Sequence, residues 1–139
     1  MKLVIKRGAL EEIIRRCVDG YPYETAGLML GKNNTVFEAL HLRNVHENDH
    51  RVRYRLDPME YYAAEKTAEA KGYEVLGVYH SHPDVPAVPS QYDLQYALPP
   101  WSYLIVSVTS GKHLGYNGWK AVERDGNKRF EKLDLLVED

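Results

Sequence analysis

His80 and His82 flank Ser81, precede Pro83, and are followed by Ser90 and Asp93. Two imidazole nitrogens and one carboxylate oxygen make a mixed ligand set for zinc, which catalytic sites hold through three protein groups with the fourth position open. The apolar run Val75, Leu76, Gly77, Val78, Tyr79 reads as a buried strand ending at His80. Alternate residues on a strand share a face, so both imidazoles can converge on one ion. The chain then turns through Pro83, Pro86 and Pro89. A helix starting at Ser90 would bring Asp93 back to the histidine pair. Such a site suits hydrolysis, because bound zinc lowers the pKa of water to about 7 and polarises a carbonyl.

Hydrolysis also needs a proton acceptor. Glu24 follows Tyr21, Pro22 and Tyr23 and opens an apolar strand. A carboxylate there can project into a cleft, take the proton of the attacking water and deliver it to the leaving amine. On the residues alone, a solvated carboxylate at a strand end is an equal reading. Ser90 has two readings as well. With Asp93 it has the spacing of a capping box, aspartate standing where glutamate or glutamine is usual. Its hydroxyl could also donate to the oxyanion of a tetrahedral intermediate, a contact that typically contributes about 3–4 kcal/mol. No nucleophile-elbow pattern surrounds it. The upstream histidine pair favours a ligand role for Asp93 over a capping role alone.

The remaining histidines, His41, His46, His50 and His113, lack partners at ligand spacing. His46 and His50 have helical spacing with Glu47 between them, but Asn44, Asn48 and Asp49 mark an exposed polar loop. Arg51, Arg53 and Arg55 alternate with Val52, Tyr54 and Leu56 in strand-like period two. A half-buried strand with a charged edge is the simpler reading; a basic strip that guides an acidic substrate is the functional one.

Several elements must position these groups. Leu3 to Ile5 makes a short strand, and Leu10, Ile13, Ile14, Cys17 and Val18 repeat at helical spacing up to Gly20. Thr25 to Gly31 is an apolar strand, with Asn33 and Asn34 turning it into a second strand from Val36 to Leu42. Val52 to Leu56 reads as a further strand. Asp57, Pro58 and Glu60 then start a helix that runs to Lys71 before Gly72. Tyr103 to Val108 is a central strand, and Gly118 to Glu123 and Phe130 to Val137 pair through a turn at Asp125 and Gly126. Strands and three helices in neither strict alternation nor an all-strand pattern predict an α/β or α+β layered domain.

A chain of 139 residues predicts one domain, residues 1 to 139, with no internal linker. A hydrophobic content of 44% and a charged content of 27% describe a globular chain without an apolar run long enough to span a membrane. The first seven residues lack the pattern of a signal peptide, which makes the cytoplasm the expected location. The formal net charge of -2 gives no electrostatic reason to expect nucleic acid or a membrane as partner. The single cysteine, Cys17, excludes an internal disulfide and zinc sites built from several thiolates, and its apolar helical setting predicts a core residue.

The string His80, Ser81, His82, Pro83, Ser90, Asp93, with Glu24 before Ala26, Gly27, Leu28, Met29, Leu30 and Gly31, closely resembles the JAMM (MPN+) metalloprotease family, in its compact prokaryotic form. The resemblance implies a mixed sheet packed with helices, like that of the cytidine deaminases, although the paired cysteine ligands of deaminases are absent. It further implies one zinc ion on His80, His82 and Asp93, Glu24 as acid and base, and Ser90 at the oxyanion. Compact relatives often carry cysteine where this chain has Ala26, a position that is no ligand, so a packing change is expected. The implied activity is that of a peptidase or isopeptidase cutting after the C-terminal Gly-Gly of a ubiquitin-like or sulfur-carrier protein. The alternatives are a hydrolase of small or cell-wall-like peptides and a metal-free MPN interaction module. Both monomer and homodimer fit the aromatic content.

Overall fold

The computed structural model describes residues 1–46 and 53–139. His50, Arg51 and Val52 lie outside the described residues. Strand β1 (Lys2–Lys6) leads into helix α1 (Arg7–Gly20), then come β2 (Ala26–Lys32), β3 (Thr35–Leu42), α2 (Pro58–Ala70), β4 (Glu74–Pro83), α3 (Gln91–Tyr96), β5 (Ser102–Thr109), β6 (Lys112–Arg124) and β7 (Asn127–Glu138). The mixed sheet runs β1-β3-β2-β4-β5-β6-β7 and closes on itself, because β1 pairs in parallel with both β3 and β7. This is the α/β class with three helices that the residue pattern predicts.

Local chemistry explains the elements. Asn33 and Asn34 adopt φ of 53° and 59°, the left-handed pair that closes a two-residue hairpin, and Asp125 and Gly126 do the same between β6 and β7. Asp57 accepts from the Met59 N–H at 2.9 Å and Pro58 occupies the first turn of α2. In β4, Gly77 lets the strand approach β5, since a Cβ there would overlap the Ser102 carbonyl oxygen.

Strand periodicity sorts the core into two clusters. Met29, Tyr79, Leu104 and Val106 pack with Leu10, Ile13 and Cys17 of α1, while Leu28, Leu30, Val78 and Tyr103 pack with Ala64 and Ala68 of α2. Cys17 is fully buried, as its setting predicts. His80 and His82 continue the parity of Val78, so both stand on the α2 face of the sheet.

Three expectations change. Strand β4 does not end at His80; it continues through Pro83 because β5 keeps pairing in parallel, His80 opposite Ile105 and His82 opposite Ser107. The expected strand to Leu56 is absent over residues 53–55, and Leu56 forms only an isolated bridge to Asn44. The Asn44 side chain takes the backbone groups that a ladder would use: Oδ1 accepts from the Arg55 N–H and Nδ2 donates to the Arg53 carbonyl. His46 is buried, not exposed, with its N–H on Asn44 Oδ1 and its ring 5.8 Å from that of Tyr92.

Candidate metal centre

Glu24, His80, His82 and Asp93 are all buried, and one ligand atom from each lies within 4.8 Å of all the others. Sheet and helix both contribute. His80 and His82 come from β4, Glu24 lies two residues before the start of β2, which pairs with β4 through Ala26 and His80, and Asp93 sits in the first turn of α3. The capping box exists in full: Ser90 Oγ accepts from the Asp93 N–H at 3.0 Å, and the Ser90 N–H donates to Asp93 Oδ2 at 2.9 Å. Thus the feature that starts the helix also aims its carboxylate at the histidines. Asp93 Oδ2 stands 3.0 Å from His82 Nε2, and Asp93 Oδ1 stands 3.6 Å from His80 Nε2.

The tautomers follow from the acceptors. His82 Nδ1 faces the Pro86 carbonyl at 2.9 Å, and a carbonyl can only accept, so the proton belongs on Nδ1 and Nε2 presents a lone pair. His80 Nδ1 faces Glu24 Oε1 at 3.0 Å and the Ser81 carbonyl at 3.4 Å, which again directs the proton to Nδ1. His80 Nε2 is buried without a hydrogen-bond partner. Two imidazole lone pairs and an aspartate carboxylate therefore point at one another. Acceptors converging in this way fit a cation, and two nitrogens with one oxygen fit zinc.

Electrostatics agree with the crowding of charge. Burial pushes the Asp93 carboxyl up, but with no cation between the groups the charge of a protonated His80, the hydrogen bond that a protonated His82 donates and the Ser90 N–H outweigh it and hold the group at about 2. Burial disfavours a charged His80, yet Asp93 and Glu24 raise its pKa above the ordinary 6.5.

The connection after β4 is fixed by three successive carbonyls. Ser107 Oγ donates to the Val85 carbonyl at 2.6 Å, His82 Nδ1 to Pro86, and both Asn117 Nδ2 and Trp119 Nε1 to Ala87 at 3.2 Å. These supports from β5 and β6 hold the acceptor that sets the His82 tautomer. Tyr54 completes the surroundings by stacking on His80, ring centroids 4.6 Å apart at 28°, and burial raises its phenol pKa well above 10.0, keeping it neutral.

Four of the residues singled out in the sequence, Glu24, His80, His82 and Asp93, thus meet in one place, and Ser90 stands next to them as the cap that holds Asp93. Tyr54, Asn44, Ser81 and the carbonyl supports carry no signal in a single sequence, since a tyrosine in an alternating stretch or an asparagine in a loop is ordinary. His41 and His113 stand apart, beside Tyr79 and Tyr116 respectively. Among the described residues, this is the one cluster with metal-ligand geometry.

The family described as prokaryotic homologs of the JAB domain matches residues 6–122. The chain belongs to that family. A desampylase of Haloferax volcanii is 38% identical over 120 residues, 84% of this chain and 80% of the relative. A probable TtuB-protein conjugate cleaving protease of Thermus thermophilus is 37% identical over 95 residues, 68% of this chain and 63% of the relative, so the match leaves over a third of that protein unspanned. A solved structure described as JAMM, a metalloprotease-like zinc site in the proteasome and signalosome, superposes with a TM-score of 0.62 at 21% identity, covering 100% of both chains. At that identity the likeness speaks for the JAB fold alone. Among the described residues, no JAB-family helix of this chain is long and apolar enough to cross a membrane.

Proposed function

We propose that the chain is a zinc-dependent peptidase or isopeptidase that cuts the bond after the C-terminal Gly-Gly of a ubiquitin-like or sulfur-carrier protein. The observation that carries this reading is the convergence of two imidazole lone pairs and a buried carboxylate beside a second buried carboxylate, Glu24. His80, His82 and Asp93 would hold the ion. Zinc bound there would acidify water and polarise the substrate carbonyl. Glu24 takes the water's proton and returns it to the nitrogen of the leaving amine as the carbon–nitrogen bond breaks. Ser90 Oγ accepts from the Asp93 N–H, which leaves its own proton to donate to the oxyanion.

The substrate class is supported by the relatives named as a probable TtuB-protein conjugate cleaving protease and a desampylase. The reading treats residues 1–139 as one domain acting in the cytoplasm. To test it, zinc-loaded protein is incubated with ubiquitin-fold carriers extended beyond a terminal Gly-Gly, and the products are weighed by mass spectrometry. Loss of the extension, abolished by a chelator and restored by zinc, is the expected result. Carriers left intact by fully zinc-loaded protein, or trimming that survives chelation, would overturn it.

A further inference from the structure

Asp93 reaches the histidines from a helix too short to hold itself. Helix α3 has six residues, Gln91–Tyr96, and an isolated helix shorter than about 12–15 residues is marginal in water. Its front end is closed by the capping box of Ser90 and Asp93, whereas its rear end leaves carbonyls without intrahelical partners. Lys128, the second residue of β7, reaches them: its Nζ donates to the Gln95 carbonyl at 2.7 Å and to the Ala97 carbonyl at 3.0 Å. Beside these bonds the Leu98 N–H donates to the hydroxyl of buried Tyr103 at 2.9 Å. Arg124 and Arg129 nearby pair with Glu131, but half-buried Lys128 has no carboxylate partner among the described residues. Its ammonium is committed to the helix end. Lys128 also lies outside residues 6–122, so the stretch matched by the family does not contain it.

We propose that Lys128 is a positioning residue for the metal centre: by clamping the rear of α3 to β7, it holds the Asp93 carboxylate against His80 and His82. This inference rests on the reading of that centre as a zinc site. The clamp has a fixed anchor, because β7 pairs with β6 on one side and with β1 on the other. The capping box cannot replace it, since Ser90 belongs to the same segment and moves with the helix. A helix of six residues turns as one piece, so freeing its last carbonyls lets its first turn swing. Asp93 Oδ2, 3.0 Å from His82 Nε2, then leaves the place where it can share an ion with both imidazoles.

Removing a lysine has two opposite consequences for a dication. The lost positive charge alone favours zinc, since like charges repel, whereas a displaced ligand weakens its binding. The sign therefore separates position from charge. Zinc affinity of metal-free protein is measured by competition with a chromophoric chelator for Lys128→Met, which keeps the apolar stem, and for Lys128→Arg, which keeps donors for the carbonyls. The methionine variant should bind zinc about 10-fold more weakly, the low end of the cost of removing a group that supports a metal ligand, and arginine should restore most of the loss. Lys128→Gln, with donors on a shorter stem, should fall between them. Amide hydrogen exchange on the metal-free methionine variant should quicken at Asp93 and Leu94 while β4 and β5 stay protected. Zinc affinity that is unchanged or raised in Lys128→Met overturns the proposal, as does a loss that arginine leaves in place. Exchange quickened equally in β4 overturns it too, because the whole fold is then weakened. Unaltered protein that takes up no zinc overturns the zinc reading and this inference together; zinc bound equally by the unaltered protein and the methionine variant overturns this inference alone.

Discussion

Thr25 and Ser81 exchange two hydrogen bonds: the Thr25 N–H donates to Ser81 Oγ at 2.8 Å, and the Ser81 N–H donates to the Thr25 carbonyl at 2.9 Å. Ladder pairing between β2 and β4 reaches only to Ala26 and His80, so the Ser81 side chain carries the link one step further, to the residue after Glu24. The serine between the two histidines therefore fixes the distance from base to ligands. Ser81→Ala would leave the buried Thr25 N–H without an acceptor, at a cost of about 1–3 kcal/mol. A shift of the carboxylate by a fraction of an ångström should also lower kcat about 10- to 100-fold with little change in KM. Ser81→Thr, which keeps the oxygen, should return both. Denaturant titration and steady-state kinetics read the two effects separately, and wild-type kcat in the alanine variant would remove the positioning role.

Glu24→Gln preserves the shape of the side chain and an acceptor for His80 Nδ1, which lies 3.0 Å from Glu24 Oε1. It removes the ability to take up a proton. Turnover should fall by about 10²–10⁴-fold, the usual contribution of a general base. Metal content should stay at one zinc per chain by elemental analysis. Retained turnover would reassign the base to another group.

Ser90 has two duties that one pair of substitutions can separate. Its Oγ caps α3 by accepting from the Asp93 N–H, and its proton remains to be donated. Replacing a capping serine by alanine costs about 1 kcal/mol, whereas glycine costs only a few tenths. Ser90→Gly should therefore melt close to the parent protein yet lose about 10²–10³ in kcat with the oxyanion donor gone. A glycine variant with parental kcat would leave Ser90 as a cap alone.

The chemistry was legible because its parts are local. His80 and His82 sit on one strand, and Asp93 returns through a short helix whose start is written in Ser90 and the prolines before it. Glu24 lies far away in the chain, and its place depended on a family likeness, since nothing local distinguishes a buried base from a solvated strand end. The segment 53–56 misled for a physical reason: alternation predicts a strand, but the Asn44 amide competes for its backbone groups. The closure of the sheet was equally invisible. It requires β1 to pair with β7, Leu3 opposite Leu135, across nearly the whole chain, and no local pattern encodes that register.

Cys17 offers a pH test of the core beneath the site. Burial, with a smaller contribution from the Glu24 charge, pushes its thiol from 9.0 up to about 12. A raised acid pKa means that the folded state keeps its proton where the unfolded state loses it. The contribution to stability is thus whole below about pH 9 and declines as pH rises toward 12. At about pH 8 the thiolate is scarce and the sulfur enclosed, so iodoacetamide should leave native protein unmodified while labelling the urea-unfolded chain. Labelling of native protein at the unfolded rate would show that α1 does not stay packed on the sheet.

Asn44 joins the two halves of the site through one amide. Its Nδ2 donates to the carbonyls of Glu24 and Arg53, both at 2.9 Å, and its Oδ1 accepts from the N–H groups of His46 and Arg55 at 3.0 and 3.1 Å. The segment it grips carries Tyr54, the ring that stacks on His80. Asn44→Ala should therefore destabilise by about 2–3 kcal/mol, as several half-buried backbone groups lose their partners. Asn44→Asp keeps the acceptor toward His46 and Arg55 but cannot donate to Glu24. It should retain more stability than alanine while losing kcat about as severely, because Glu24 is the group set free. If the aspartate variant keeps parental kcat, the carbonyl link to Glu24 does not govern the base, and Asn44 serves only to fold the segment around Tyr54.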